Sequence, residues 1–323
     1  QEAAWKSILS QVEDTGADGL ELNFGCPHGM SERGMGAAVG QVPDYVEMVT
    51  AWCKEYSRLP VIVKLTPNVT NIRQPAQAAK KGGADAVSLI NTINSVMSVD
   101  LDSLSINPTI DAMGTHGGYC GPAVKPIALH MVSDLGRDPE CEDLPISAIG
   151  GISNWRDAAE FLLLGAGNVQ VCTAAMTHGF KIVDDMIDGL SRFMQEKGFA
   201  SVSDLVGQAI PSLTDWQHLN LNYTVKAQID QDLCIKCGRC HIVCEDTSHQ
   251  AIHARHNGER RYEVNEEECV GCNLCVTVCP VENCLTLRKL ENEVDVRTGQ
   301  MVSPAEKLQW TRHPNNPMAN ADP

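Results

Sequence analysis

Aromatic side chains, basic charge and long apolar runs are all scarce in this chain of 323 residues. Phe, Trp and Tyr make up 5%, too few for the stacking platforms that bind single-stranded nucleic acid. Lys and Arg number 25 against 41 Asp and Glu, a formal net charge of −16. Such an acidic chain repels phosphate backbones, so nucleic acid is not an expected partner. No apolar run approaches the ~18 residues of a membrane helix, and no membrane partner is expected either. The dinucleotide fingerprint is also missing. No G-x-G-x-x-G follows a predicted strand, and GAGNVQ at 165–170 has the wrong spacing.

Cysteine, by contrast, is abundant. Of fourteen, eight fall in two tight runs, Cys234 to Cys244 and Cys269 to Cys279. A secreted disulfide framework would be short, loop-rich and evenly stapled; tandem runs in a long chain point instead to metal or cluster ligation in a reducing compartment. The cytoplasm follows as the expected location. Each run has the spacing C-x₂-C-x₂-C-x₃-C, the second followed by Pro280. This is the bacterial two-cluster ferredoxin signature, in which the fourth cysteine of each run ligates the other cluster. Cys234, Cys237, Cys240 and Cys279 are therefore expected to hold one [4Fe–4S] cluster, and Cys269, Cys272, Cys275 and Cys244 the other. Zinc knuckles are the alternative, but structural zinc generally takes paired C-x₂-C hooks. Glu245 stands after Cys244 where proline is common, and Cys284 is left over as a small apolar residue.

The runs lie in an internal repeat, Ile229 to Ile252 and Val264 to Leu287, offset by thirty-five residues (229 to 264). Ahead of it the pattern alternates. Helices are expected at 2–15, 43–56, 72–81, 122–135, 154–164 and 180–197, with a short helical piece at 201–208. Near-continuous apolar strands are expected at 17–24, 60–66, 84–91, 145–151 and 167–174, and an irregular segment at 92–121. Cys53 falls on the apolar stripe of its helix and reads as core. Alternation of this kind means a parallel sheet covered on both faces. Glycine pairs at late strand ends point to an α/β fold of the (β/α)₈ TIM-barrel type, followed by a bacterial-type 2[4Fe–4S] ferredoxin domain. The expected domains are 1–222, 223–303 and a tail at 304–323. A typical barrel takes ~250 residues, whereas only five strands precede residue 210 and the chain opens on a helix at Gln1. The expectation is that three βα units are absent and that this is the carboxyl-terminal part of a longer protein.

One stretch organises the rest: ELNFGCPHGMSERGMGAAVGQ at 21–41. A strand ends in a glycine-rich run that can hinge, and it presents a single thiol, Cys26, just before Pro27. Barrels place reactive groups at the carboxyl ends of their strands, on loops that can close over a ligand. Cys26 is read as the proton donor to a substrate lying on a flavin.

That loop, with VKLTPN at 63–68, INT at 90–92, GGYCGPA at 117–123 and QVCTA at 170–174 ahead of the two cysteine runs, resembles the dihydropyrimidine dehydrogenases. Within them it is most similar to the FMN and iron–sulfur subunits of bacterial NAD-dependent enzymes. The barrel part alone is similar to the wider dihydroorotate dehydrogenase family. The resemblance implies FMN over the strand ends, with Lys64 beside the isoalloxazine. It implies a phosphate grip of Gly118, Gly121, Gly150, Gly151, Thr173 and Ala174, and it places Asn23, Asn91 and Thr92 on the pyrimidine. It further implies reduction of uracil or thymine in pyrimidine catabolism, with Cys26 protonating C5. The electrons would come from NADH through a separate subunit carrying FAD, in a hetero-oligomer. Two positions depart from the pattern: Gly25 and Cys120 stand where relatives often carry serine. The competing readings are a dihydroorotate dehydrogenase-like flavoenzyme and a non-catalytic ferredoxin-type electron carrier.

Overall fold

A computed structural model of the chain describes residues 1–28, 33–219, 224–256 and 258–290, with the backbone of 293–294 and 301–302. The expected tail at 304–323 lies outside these residues. Two compact units meet in sequence between Leu213 and Thr214, ahead of the boundary expected at 222.

In the first unit, strands β1 (Leu20–Asn23), β2 (Val61–Lys64), β3 (Ala86–Leu89), β4 (Ile146–Ile149) and β5 (Asn168–Gln170) form one sheet. All pairings are parallel, and each strand neighbours the next in sequence. Sequential order is the winding of a (β/α)₈ barrel; a doubly wound sheet reverses direction part-way. Val61, Val63, Val87, Leu89 and Ala148 are fully buried, as strands covered on both faces must be. Each such Val or Leu contributes roughly 1.5–3 kcal/mol by leaving water. The sheet curls. Gln170 Nε2 at the end of β5 donates to Glu21 Oε2 on β1 at 2.9 Å, so side chains from the first and fifth strands meet across the concave end.

All the covering helices but the one at Thr173–His178 lie where periodicity places them. They are α1 (Glu2–Glu13), α2 (Pro43–Tyr56), α3 (Arg73–Lys81), α4 (Lys125–Gly136), α5 (Trp155–Leu163), α6 (Thr173–His178) and α7 (Ile182–Lys197). Pro43 opens α2 at a first-turn position, where its missing N–H costs nothing. Asn154 caps α5, accepting from the N–H groups of Arg156 and Asp157. Cys53 is fully buried in the core, which pushes its thiol up to about 11. Two expectations change. The last strand ends at Gln170, because Thr173 already starts α6. The segment 92–121 is not wholly irregular: Ile93–Ser95 pairs with Gly117–Tyr119, and Ser98–Asp100 with Ser105–Asn107, all antiparallel. Three-residue strands on a polar segment leave too little periodicity to read.

In the second unit, β6 (Val225–Ile229) pairs antiparallel with β9 (Leu285–Lys289), and β7 (Ile252–Arg255) with β8 (Arg261–Val264). Each ladder thus takes one strand from either repeat. Helices α8 (Arg239–Glu245) and α9 (Leu274–Val278) pack together. The cysteine loops share an unusual backbone: Lys236 and Gly238 in the first, and Gly271 and Asn273 in the second, all have positive φ. Left-handed residues on both sides of the middle cysteine coil each loop tightly.

Gly40 ends a one-turn helix, Ala37–Gly40, lying directly on the end of β1. A Cβ there would overlap the Phe24 carbonyl. Gly40→Ala is expected to destabilise the first unit by roughly 1–3 kcal/mol, read as a lower urea midpoint at unchanged slope.

Candidate active site

Polar groups in this sheet cluster where the strands end. Glu21 and Asn23 stand two residues apart on β1 and so share a face. Lys64 ends β2, Asn91 and Thr92 follow β3, Gly150 and Gly151 follow β4, and Gln170 ends β5. They line one cavity of about 600 Å³, together with Cys120, Gly121, Ser153, Cys172, Thr173 and Ala174. Nine of the expected site residues therefore meet at one place: Asn23, Asn91, Thr92, Lys64, Gly121, Gly150, Gly151, Thr173 and Ala174.

Cys26 and Gly118 are not in that lining, but both are tied to it. Asn23 Oδ1 accepts from the Gly25 and Cys26 N–H groups at 3.2 Å each and from Asn91 Nδ2 at 3.0 Å. The carbonyl of Asn23 thus caps the thiol loop and joins it to Asn91. Asn91 Oδ1 accepts in turn from the Thr92 N–H at 2.8 Å. Gly25 makes this possible, since a Cβ there would collide with the Asn91 side chain. At Gly36, φ is +56° and a Cβ would lie 2.6 Å from the Cys26 carbonyl oxygen. Gly118 is confined for another reason: the Thr92 side chain fills the space a Cβ would need.

His28 carried no expectation from sequence. Its Nε2 accepts from the Gly118 N–H at 3.2 Å, and its Nδ1 lies 3.5 Å from Cys26 Sγ. With Nε2 accepting, neutral His28 carries its proton on Nδ1, directed at the thiol. Cys26 itself is half-buried.

Charge at the cavity is paired. Lys64 Nζ donates to Glu21 Oε1 at 2.9 Å, and Gln170 Nε2 reaches both Glu21 Oε2 and Ser147 Oγ at 2.9 Å. Burial raises the Glu21 carboxyl, but hydrogen bonds from Gln170 and Lys64, with the lysine's charge, outweigh it and hold the group below its ordinary value. Period-two alternation from Asn23 is the sequence signal that finds Glu21; Gln170 has none without the sheet's curl.

At the other end, Gly150 and Gly151 have φ of +142° and +75°. A Cβ on Gly151 would stand 2.8 Å from the Gly121 carbonyl oxygen and 2.9 Å from Lys125 Cβ, so bare backbone lines the cavity here. The N–H groups of Thr173 and Ala174 open α6, beyond the reach of intrahelical acceptors. Thr173 Oγ1 donates to Cys120 Sγ at 3.3 Å. Beneath the glycines, Lys125 Nζ meets Asp157 Oδ1 at 2.7 Å, while Asp157 Oδ2 accepts from Ser153 and Asn154. This donor set suits FMN: glycine backbone and open N–H groups for a phosphate, a cation for the isoalloxazine, and a Thr92 hydroxyl buried with no partner among the described residues.

In the second unit, one hollow is walled by Cys234, Cys237, Cys240 and Cys279, with Cys284 also in its wall, and another by Cys244, Cys269, Cys272 and Cys275. Each thus takes three thiols from one run and the fourth from the other. The Ala227 N–H donates to Cys269 Sγ at 3.4 Å and the Ala251 N–H to Cys244 Sγ at 3.2 Å, bonds that stabilise thiolate sulfur. Four thiols around a hollow fit a cubane. Cys284 is buried and donates from Sγ to the Asp230 carbonyl at 3.7 Å.

Residues 2–194 match the family model described as dihydroorotate dehydrogenase, and residues 227–287 that described as a 4Fe-4S dicluster domain. The chain is 42% identical over 303 residues to the NAD-dependent dihydropyrimidine dehydrogenase subunit PreA of Escherichia coli (strain K12), covering 94% of this chain and 72% of that one. It is 40% identical over 238 residues to the chloroplastic dihydropyrimidine dehydrogenase (NADP(+)) of Arabidopsis thaliana, covering 73% and 55%. Against the catalytic subunit of dihydroorotate dehydrogenase B (NAD(+)) of Pyrococcus abyssi it is 43% identical over 194 residues, covering 60% and 61%. The crystal structure of a ligand-free DHODH from Eimeria tenella shares the fold, with a TM-score of 0.52 at 21% identity over 64% of this chain and 59% of that one. No helix among the described residues is long and apolar enough to cross a membrane.

Two outcomes follow from the geometry. Burial raises the Asp157 carboxyl, but its bonds from Lys125 and Ser153 hold it below the ordinary carboxylate value. A depressed carboxyl stabilises the fold at every pH above its unfolded value, and that contribution disappears as pH falls through the folded one. Asp157→Asn should therefore cost roughly 2–4 kcal/mol, with the gap to the parent constant from neutrality down to about pH 4 and closing only below. Unfolding curves at several pH values test this. For the cysteines, Cys234→Ala and Cys279→Ala should each remove the same cluster, read as the same lost EPR signal and halved iron. Cys244→Ala should remove the other.

Proposed function

This chain belongs to the dihydroorotate dehydrogenase family, with a 4Fe-4S dicluster domain following on the same chain, and from that premise we propose that it reduces uracil or thymine to the 5,6-dihydropyrimidine. The observation that carries the reading is Asn23, whose single carbonyl ties the Cys26 loop to Asn91 on the cavity wall. The backbone of the Cys26 loop is thereby tied to two carboxamides of the cavity wall. FMN, gripped by Gly121, Gly150, Gly151, Thr173 and Ala174 with Lys64 at its ring, supplies the hydride for C6 when bound.

The remaining work belongs to side chains. With Oδ1 engaged, Asn23 has its Nδ2 left to donate to a pyrimidine carbonyl, and the unpartnered Thr92 hydroxyl offers a second polar group. Cys26 delivers a proton to C5. A general acid in this position hands its S–H proton to the carbon as the hydride arrives. His28 presents an N–H to the sulfur, not a lone pair. That orientation leaves the proton on the thiol before transfer and donates to the thiolate afterwards.

The cubanes held by the two cysteine sets supply one-electron carriage on this chain. NADH would be oxidised on a partner subunit carrying FAD, which makes the working enzyme a hetero-oligomer of a reducing compartment, the cytoplasm. A carboxylated substrate such as dihydroorotate calls for an unengaged cation. Among the described residues, Lys64 is the only lysine or arginine lining the cavity, and Glu21 already engages it.

Cys26→Ala should keep FMN and both clusters, by absorbance and iron content, while uracil reduction falls at least ~10²-fold. Unchanged turnover in that variant would end the proton-donor role. Faster turnover of dihydroorotate than of uracil by the parent enzyme would reverse the substrate assignment.

A further inference from the structure

We infer that Glu21 is a positioning residue that sets the charge Lys64 shows to the flavin, and so holds down the flavin's reduction potential. The inference rests on the reading that the cavity holds FMN. Both oxygens of Glu21 are engaged, Oε1 by Lys64 on β2 and Oε2 by Gln170 on β5. Gln170 is braced in turn on Ser147 of β4. The carboxylate is thus clamped from three strands and cannot swing away from the ammonium, whose side chain is only 18% exposed. All four residues except Ser147 line the cavity.

A cation beside the isoalloxazine stabilises the negative charge that reduced flavin gathers at N1 and the C2 carbonyl. An anion fixed 2.9 Å from that cation cancels much of its field at any point beyond the pair. Reduced flavin therefore gains less here than it would from an unpaired lysine, and it becomes the stronger hydride donor. The ion pair also explains why a lysine can stand at a strand end in a partly desolvated cavity: its own charge is compensated before any ligand arrives. Hydride delivery to a pyrimidine ring benefits from a low potential, so the pairing serves the proposed reaction in a way that a bare ammonium would not.

The test is a potentiometric titration of the flavin in the purified holoenzyme. Glu21→Gln keeps the size of the side chain and one of its two acceptors while removing the charge. It should favour reduced over oxidised flavin about tenfold more than the parent does, a rise of about 30 mV for a two-electron couple. Glu21→Asp withdraws the carboxylate by one methylene but keeps its charge, and should raise the potential less. If the Gln variant does not retain flavin, the Asp variant decides by the same sign. A potential that is unmoved or lowered overturns the inference, as does an Asp shift equal to the Gln shift, which would make geometry the cause. Loss of flavin from both variants would make Glu21 a binding residue and also overturn it. Parent protein purified without flavin would instead overturn the FMN reading itself.

Discussion

Parallel strands covered on both faces leave little room for polar chemistry along their length. That constraint decides where everything else in the first unit goes. Val61, Val63, Val87 and Leu89 are sealed inside, so charge and amide groups are pushed to the carboxyl ends of the strands. The sheet then curls until those ends face one another, and Gln170 of β5 can reach Glu21 of β1. A flat sheet with the same residues would present a row of separate side chains. The curl converts that row into a walled cavity with a cation, an anion, three carboxamides and a glycine-lined end.

Several glycines have a local task that differs from simple mobility. Gly25 yields its side-chain space to Asn91, and Gly118 yields its own to Thr92. Both are close-approach positions that let a loop lie on the cavity wall. A side chain on Gly25 would strike Asn91, so the bare position before the thiol is coupled to the placement of that neighbour. Gly150 and Gly151 combine positive φ with contacts that exclude a Cβ, and no other residue would leave that backbone bare. Among the described residues, the thiol loop is tied by Asn23 at one end, by His28 reaching Gly118, and by the Ala37 N–H donating to the Cys26 carbonyl.

The second unit follows a different logic. Its core is small, and Cys240, Cys269 and Cys275 are part of it, packed with Ala227, Ile252, Tyr262 and Leu285. Thiols that belong to the core and also line the two hollows would couple folding to cluster assembly. The two ladders, each built from one strand of either repeat, bring the fourth cysteine of one run to the three of the other. Burying Tyr262 completely depends on Gly238, whose absent side chain leaves room for the phenol oxygen.

Much of this was legible in the linear chain. Helix bounds such as Pro43–Tyr56, the five apolar strands and the grouping of the cysteines all follow from local periodicity and from spacing, which are properties of neighbours in sequence. The candidate thiol at Cys26 stands out from the glycine-rich run after its strand, whereas Asn23, Lys64 and Asn91 are singled out by the resemblance to the dihydropyrimidine dehydrogenases. What tertiary structure alone decided is who answers whom: Glu21 with Lys64 and Gln170, His28 between Cys26 and Gly118, and Asn23 turning its carbonyl inward to hold a loop. These pairings join residues from separate strands and loops, in one case 149 positions apart. They exist because the chain bends back on itself, and no local rule of propensity or spacing encodes that distance.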